Sequence, residues 1–276
     1  NTPFLIKDCA GNYISDKVET SFSLPESAEK GDIILNEILF NPKKGGVDFV
    51  EIYNNSKKEI NLKNWKIGND KNSNILFQDH FIIKARQYLA FTINKHNILN
   101  YYPKAVDTNI VNFNSMPSFN DDKGKVKIYD SQGIIMDEFD YDEKYHFKLI
   151  EDKEGVSLER ISPFLPTNTP ENWHSAASTV NFATPGYQNS QSNSPELETA
   201  LPIKVNPVIF SPDEDGYLDF TTIQFNLALP GQMANITIFD LEGRIVKRIA
   251  RNFLLSTSDF FKWDGTDDNG RKVGIG

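Results

Sequence analysis

The chain has one cysteine and no long apolar run. These two features exclude an intramolecular disulfide and predict no membrane-spanning helix. A single thiol, Cys9, cannot form an intramolecular disulfide. We expect it to be a small buried residue near a turn. No apolar run reaches the roughly 18 residues that a membrane-spanning helix needs, so the sequence predicts no transmembrane segment.

Histidine is also scarce, and its spacing predicts no metal or catalytic centre. The four histidines are His80, His96, His146 and His174. None lies in HExxH or HxH spacing, so a zinc site has no support. GxSxG, Walker and GxGxxG motifs are missing too. We therefore predict that this chain is not an enzyme.

Basic residues are outnumbered by acidic ones, which limits the possible partners. The formal net charge is −9 and the sequence pI is about 5.0. An acidic chain repels phosphate backbones, so we expect no general nucleic-acid binding. No signal peptide is visible. The sequence starts at Asn1 and stops at Gly276, and we expect both ends to be cuts in a longer polypeptide.

What the chain does have is enough apolar sequence for two β-rich domains. It has 276 residues, of which 39% are hydrophobic and 12% aromatic, a size and composition that suit two folded domains. Alternating apolar residues in KVKIYD, TTIQFNLAL and ANITIFD indicate strands. Hairpin turns are expected at residues 121–124, 130–133, 240–243 and 267–270, where Asx residues precede Gly. Residues 94–102 are the best helix candidate, and a loop turn is the alternative for this short segment.

Residues 31–188 carry an ordered set of motifs. Residues 31–69 hold the runs IILNEILF and DFVEIY, joined by a Pro/Lys/Gly turn, and then Trp65. VSLERI, Asn172-Trp173 and ATPGY follow later in the chain. This series resembles the lamin tail domain of bacterial surface proteins. The resemblance implies an immunoglobulin-like sandwich that mostly serves docking. An insertion at about residues 94–120 departs from the family pattern.

The flanking segments suggest further immunoglobulin-like units. Residues 1–30 resemble the last hairpin of a preceding domain, and residues 189–201 form a polar linker. Residues 202–276 contain SPDEDGYLD, FDLEGRIV and WDGTDDNG. They resemble the immunoglobulin-like domain of hook-capping proteins and exported Bacteroidetes proteins. We expect this second sandwich to lack its final strand, which leaves residues 260–263 as a free sheet edge.

Glu37 and Glu51 each interrupt an apolar strand, and we expect them to lie side by side in a sheet. One interpretation is a carboxylate pair for acid–base chemistry or metal binding. The other is structural: the two acids face solvent, or pair with lysine or backbone groups at a sheet edge. The lamin-tail resemblance favours a structural role. Glu37 falls on the face of Leu35 and Leu39 by strict alternation, which is awkward if that face is core.

Several aromatic residues are candidates for a sugar-binding platform. Trp65 and Trp173 are expected to be core residues, because tryptophans of small β-sandwiches are usually buried. Tyr101 and Tyr102 lie in the insertion and are candidate ligand contacts.

One acidic loop could bind a metal. Asp213, Asp215 and Asp219, with Gly216 between them, could gather oxygen ligands around Ca²⁺. The alternative is a turn in which aspartates cap backbone N–H groups.

These features favour a non-catalytic binding or scaffolding module of an exported bacterial cell-surface protein. It would be secreted or held at the outer surface, and would present loops to a protein or glycan. An alternative is an accessory region of a larger extracellular hydrolase, a nuclease or phosphatase, whose catalytic domain lies elsewhere. A third is a structural spacer. No sequence feature specifies the ligand or the oligomeric state.

Overall fold

The computed structural model describes Cys9 and residues 24–192 and 203–274. The chain is all-β, as the sequence predicts. The strands are β1 (Ile33–Leu39), β2 (Phe49–Asn54), β3 (Ile60–Asn61), β4 (Lys66–Gly68), β5 (Ser73–Ile75), β6 (Ile82–Ile83), β7 (Tyr88–Thr92), β8 (Ile110–Asn112), β9 (Lys123–Tyr129), β10 (Ile135–Asp142), β11 (Leu158–Arg160), β12 (Trp173–Ser175), β13 (Ile203–Asn206), β14 (Thr221–Asn226), β15 (Met233–Phe239), β16 (Ile245–Leu254) and β17 (Ser258–Trp263). Helix α1 spans Lys95–Tyr101, and four short 3₁₀ segments span Asp107–Asn109, Glu143–Tyr145, Pro170–Asn172 and Ser178–Val180.

The larger unit is a two-layer sandwich. One sheet has the order β12-β11-β1-β2-β7-β8, with only β7 and β8 parallel. The facing sheet has the order β10-β9-β4-β5, and β3 and β6 form a small ribbon. Apolar side chains from both sheets form one core, which includes Ile52, Ile67 and Phe139. Trp65 and Trp173 belong to this core, as predicted, with 4% and 3% of their surface exposed.

A bulge in β1 decides which way Glu37 points. The pairing of β1 with β2 shifts register between Leu35 and Glu37. Leu35 and Ile38 therefore face the central core, whereas Leu39 joins a second apolar cluster. The prediction that Glu37 shares a face with Leu35 is wrong, because the extra residue of the bulge reverses the alternation.

The first part of the insertion at residues 94–120 covers the outer face of the six-stranded sheet, and its strand β8 joins the edge of that sheet. Asn94 caps α1 by accepting a hydrogen bond from the N–H of Asn97 at 3.0 Å. Ile98, Tyr102 and Ile110 pack with Phe49 and Ala90 of the sheet in the second cluster. The insertion is therefore part of the fold, and the sheet is buried on both faces.

Residues 203–274 form a looser unit. It contains the sheet β13-β14-β17 and the hairpin β15-β16. Only four apolar residues of this described range are buried: Phe225, Ala250, Leu254 and Leu255. Within the described residues β17 is an edge strand, as expected from the sequence. No described helix is long and apolar enough to cross a membrane.

Three expectations need correction. Cys9 lies in a turn but is exposed, so it is not the buried residue that we expected. Gly124 lies inside β9 rather than in a turn, and the ring of Tyr141 packs where its side chain would be. Asn189 and Gln191 are buried, so residues 189–192 belong to the folded unit rather than to an exposed linker. The predicted hairpin of residues 1–30 lies largely outside the described residues.

Replacing Trp65 by alanine should lower the free energy of unfolding by about 3–5 kcal/mol, because truncating a large buried aromatic leaves a cavity. Urea unfolding measures this loss. Leu241→Ala is the control, since Leu241 is 85% exposed. Its effect should stay within about 0.5 kcal/mol. Equal stability of wild type and Trp65→Ala would show that Trp65 is not a core residue.

Candidate functional site

Three glutamates form a continuous row across the outer face of the six-stranded sheet. Glu37 of β1 pairs in register with Glu51 of β2 on one side and with Glu159 of β11 on the other. Each has at most 1% of its surface exposed. The row lies deep beneath the surface, where ionised carboxylates are costly unless hydrogen-bonded.

A segment that crosses the sheet supplies most of the hydrogen bonds to these carboxylates. We call residues 183–191 the strap. The N–H of Thr184 donates to Glu37 Oε1 at 2.9 Å, and the N–H of Gly186 donates to Glu51 Oε2 at 2.6 Å. Glu37 therefore holds the strap at Thr184, and Glu51 holds it at Gly186. Glu159 holds a third point.

Glu159 binds the end of the strap. Its Oε2 accepts from Ser190 Oγ at 2.8 Å and from the N–H of Gln191 at 2.9 Å. Beside it, Asn36 Nδ2 donates to Asn189 Oδ1 at 2.7 Å and to Glu51 Oε1 at 2.8 Å. Strap and row together form one closed polar network.

The hydroxyl of Thr184 lies within hydrogen-bonding distance of two carboxylates. Thr184 Oγ1 lies 3.0 Å from Glu37 Oε2 and 2.7 Å from Glu159 Oε1. A hydroxyl carries a single hydrogen, so it can donate to only one of these oxygens. The other contact becomes a hydrogen bond when that carboxyl is protonated and donates to the hydroxyl. The geometry therefore suits a row that holds at least one proton.

Burial and repulsion between neighbouring carboxylates both raise the pKa values of Glu37 and Glu51. Burial, followed by the neighbouring charge of Glu159, raises the pKa of Glu37 from 4.5 to about 8. Burial and then Glu37 raise the pKa of Glu51 well above its usual range. Burial also raises the pKa of Glu159, although its hydrogen bonds oppose this.

The sequence anticipated part of this site. Glu37 and Glu51 are adjacent, as predicted, and they do bond to backbone N–H groups. They neither face solvent nor pair with lysine at a sheet edge, because the strap and the second cluster cover them. Glu159 was missed, although it lies within the SLER motif. An acid in a third apolar run, followed by ATPGY, is the signal that could have revealed it.

Ser175 and His146 form a buried pair that lacks the properties of a catalytic dyad. Ser175 Oγ lies 2.9 Å from His146 Nδ1 and accepts from the N–H of Phe147. The two side chains are 0% and 3% exposed, so a substrate cannot reach them. Burial, with the charges of Lys153 and His174, lowers the pKa of His146 to about 3, which makes it a weak base at neutral pH.

The candidate ligand contacts in the insertion are mostly enclosed. Tyr102 is 2% exposed, and its hydroxyl donates to the carbonyl of Gly155 at 2.9 Å. The prediction that it contacts a ligand is wrong, because it packs against the sheet. Tyr101 is half-buried and its hydroxyl donates to the carbonyl of Lys44.

The acidic loop does bring its aspartates together. One oxygen of each of Asp213, Asp215 and Asp219 lies within 4.8 Å of the others. Both oxygens of Asp219 accept backbone bonds, from Glu214 at 2.6 Å and from Gly216 at 2.9 Å. The loop thus shows the predicted turn-capping bonds, and calcium binding stays a prediction.

A second polar network holds a loop at the other side of β11. We call residues 162–167 the apolar loop. Arg160 donates from Nη2 to the carbonyl of Leu165 at 2.7 Å and from Nε to that of Ser162 at 3.1 Å. Asn172 Nδ2 donates to Ser162 O at 3.0 Å, and Trp173 Nε1 donates to Thr167 O at 2.7 Å. Hydrogen bonds from three buried side chains therefore hold the loop backbone in place.

Comparison with known proteins supports the first resemblance. The model of the Lamin Tail Domain family matches residues 26–143. This family is a non-catalytic, immunoglobulin-like domain, and the match confirms the resemblance for that part of the chain. The matched range includes Glu37 and Glu51 but ends before Glu159 and the strap. No curated protein matches the chain. The resemblance of residues 202–276 to a hook-capping domain stays a prediction.

The unfolding free energy should fall as the pH rises from about 4.5 to about 8. In this window the folded state keeps the Glu37 proton, whereas the unfolded state has lost it, so rising pH favours unfolding. One such proton contributes about 1.4 kcal/mol per pH unit. Glu37→Gln should reduce the slope by that amount in urea titrations. Glu154→Gln, which changes an exposed carboxylate, should leave it unchanged. Equal slopes for wild type and Glu37→Gln would contradict a proton on Glu37.

Calcium should raise the melting temperature of the C-terminal unit if the acidic loop binds it. A ligand at about 100 times its Kd stabilises the folded state by roughly 2.7 kcal/mol. Asp215→Ala should abolish the increase, whereas Glu242→Ala, at an exposed acid in the β15–β16 turn, should preserve it. A melting curve that responds to neither Ca²⁺ nor chelator leaves the turn-capping interpretation.

Proposed function

We propose that this chain, whose residues 26–143 match a lamin tail domain, is a non-catalytic binding and scaffolding region of an exported bacterial cell-surface protein. It presents a loop to a protein or glycan partner. The observation that carries this proposal is the apolar loop, in which a fixed backbone displays apolar side chains to solvent.

The exposed side chains of the loop are large. Phe164 is 80% exposed and Leu165 is 49% exposed, with Pro163 before them and Pro166 after them. Leaving these groups in water forgoes about 1.5–3 kcal/mol of burial for each. A partner that buries them recovers this free energy. Contiguous exposed apolar patches are typical of contact sites, and Phe164 and Leu165 are adjacent in the chain.

The anchoring of the loop favours binding over a passive turn. Arg160 is 4% exposed and Asn172 is fully buried, and both use their donors on loop carbonyls. Thr167 Oγ1 also donates to Asp137 Oδ1 at 2.6 Å. A loop that is already ordered loses little conformational entropy on association, which increases affinity.

The remaining polar groups support a scaffold rather than a catalyst. All six carboxylate oxygens of the three buried glutamates take part in hydrogen bonds within the fold. The buried histidine His146 is a weak base that substrate cannot reach. The alternative of an accessory region beside a hydrolase domain uses the same loop, with the catalytic groups on another part of the polypeptide.

Phe164→Asp should weaken partner binding at least 30-fold. A loop-tip aromatic that fills a pocket typically accounts for about 2 kcal/mol or more, and roughly 1.4 kcal/mol corresponds to a factor of ten. The probes are a glycan array and purified surface proteins of the producing bacterium, followed by calorimetry of any binder. The melting temperature should not change.

Leu241→Asp is the matched control, because Leu241 is an equally exposed apolar residue in the β15–β16 turn. It should bind like wild type. Failure of wild type to bind any probe, or full binding by Phe164→Asp, would contradict the role of the apolar loop.

A further inference from the structure

The end of the strap also binds the C-terminal unit. Thr257 donates its N–H to the carbonyl of Ser190 at 2.8 Å. Gln191 donates from Nε2 to Leu255 O at 3.1 Å, and its Oε1 accepts from the N–H of Gly231 at 2.9 Å. Ser190 and Gln191 are therefore bonded to Glu159 on one side and to the second sandwich on the other.

This junction is buried and not merely a surface contact. Gln191 is fully buried, and Leu254, Leu255 and Thr257 of the second sandwich are at most 8% exposed. Ser178 Oγ adds a bond to Leu254 O at 2.8 Å. The two sandwiches are thereby held in one arrangement, and the bonds made by Ser190 and Gln191 connect the second sandwich to Glu159.

We propose that the glutamate row is a pH-sensitive latch between the two sandwiches. While Glu37 and Glu159 share a proton through Thr184, the strap stays docked and the second sandwich is held. When that proton leaves at higher pH, the end of the strap detaches, the second sandwich loses the bonds from Ser190 and Gln191, and its position relative to the first sandwich becomes more variable.

Hydrogen-bond counting explains why loss of the proton opens the latch. With both carboxyls ionised, the hydroxyl of Thr184 can satisfy only one of the two oxygens that face it. The other becomes a buried charged acceptor with one donor fewer, which is costly. Glu37 and Glu159 are also register partners, so two like charges then lie side by side. Detaching the strap admits water to both.

The groups around the row do not offset this repulsion. Tyr88 of β7, Tyr102 after α1 and Tyr187 of the strap are titratable groups that interact with the glutamates from packed elements. His174 of β12 pairs in register with Glu159, and burial lowers the pKa of His174, which favours its neutral form. Tyr187 in turn lies near Asp259 of β17. The three tyrosines and His174 are neutral, and Asp259 is acidic, so these groups add no positive charge to the row. Lys104, at the margin, is bound to Asp259 at 3.7 Å and to the carbonyl of Thr179.

The transition should fall within a mildly alkaline range. Burial and the charge of Glu159 raise the pKa of Glu37 to about 8. The latch should therefore be closed near pH 6 and open near pH 9.5, roughly 1.5 or more pH units to either side of that value.

The chain offers a close mimic of the protonated state. In Glu37→Gln, Oε1 can keep the bonds from Ser157 Oγ and the N–H of Thr184. The new Nε2 can donate to Thr184 Oγ1, which then donates to Glu159. Glu159→Gln reproduces the same pattern from the other end. Neither variant can lose the proton.

The test is single-molecule energy transfer between dyes on the two sandwiches. Cysteines replace Lys57 and Leu241, both exposed, in a Cys9→Ser background of the full chain. Wild type should give one narrow distance distribution near pH 6 and a broad one near pH 9.5. Glu37→Gln and Glu159→Gln should stay narrow at both, and Glu154→Gln should behave like wild type. Tryptophan fluorescence confirms that each sandwich remains folded.

Three results would overturn the latch. One is a wild-type distribution that does not change with pH. Another is an equal change in Glu37→Gln and Glu159→Gln. The third is failure of both glutamine variants to fold, because each preserves the hydrogen bonds of the protonated row.

Discussion

The fold depends on burying three adjacent carboxylates in a sheet that is covered on both faces. Glu37, Glu51 and Glu159 repel one another, so the structure tolerates them only while the strap supplies donors and a proton is retained. The position of the strap follows from this constraint, since its N–H groups must reach each carboxylate in turn. The position of the second sandwich follows from the strap, because Ser190 and Gln191 bond to both.

Strand β11 connects this constraint to the proposed binding surface. Glu159 and Arg160 are neighbours in sequence, so alternation directs them to opposite faces of the sheet. Glu159 binds the strap, whereas Arg160 reaches the apolar loop and also donates to Leu35 O at 2.9 Å. Leu35 lies at the bulge that turns Glu37 outward. One bulge and one short strand therefore position both the glutamate row and the loop.

The sequence predicts the elements better than it predicts the site. Alternation and turn residues correctly indicate an all-β fold, a buried Trp65 and the pairing of Glu37 with Glu51, because these depend on local patterns. The bulge after Leu35 leaves no such pattern, so the direction of Glu37 is predicted wrongly. Burial of Tyr102, Gln191 and the glutamates depends on segments distant in sequence that fold over the sheet, and no local periodicity reports on them.

The central claim is that the glutamate row keeps a proton at neutral pH, and carboxyl ¹³C NMR of the labelled full chain tests it most directly. Resonances would be assigned with the Glu37→Gln and Glu159→Gln variants and followed from about pH 4 to about pH 10. Glu37 should stay protonated until about pH 8, because burial and the charge of Glu159 raise its pKa from 4.5. Ionisation of Glu37 near its ordinary value of 4.5 would contradict the retained proton.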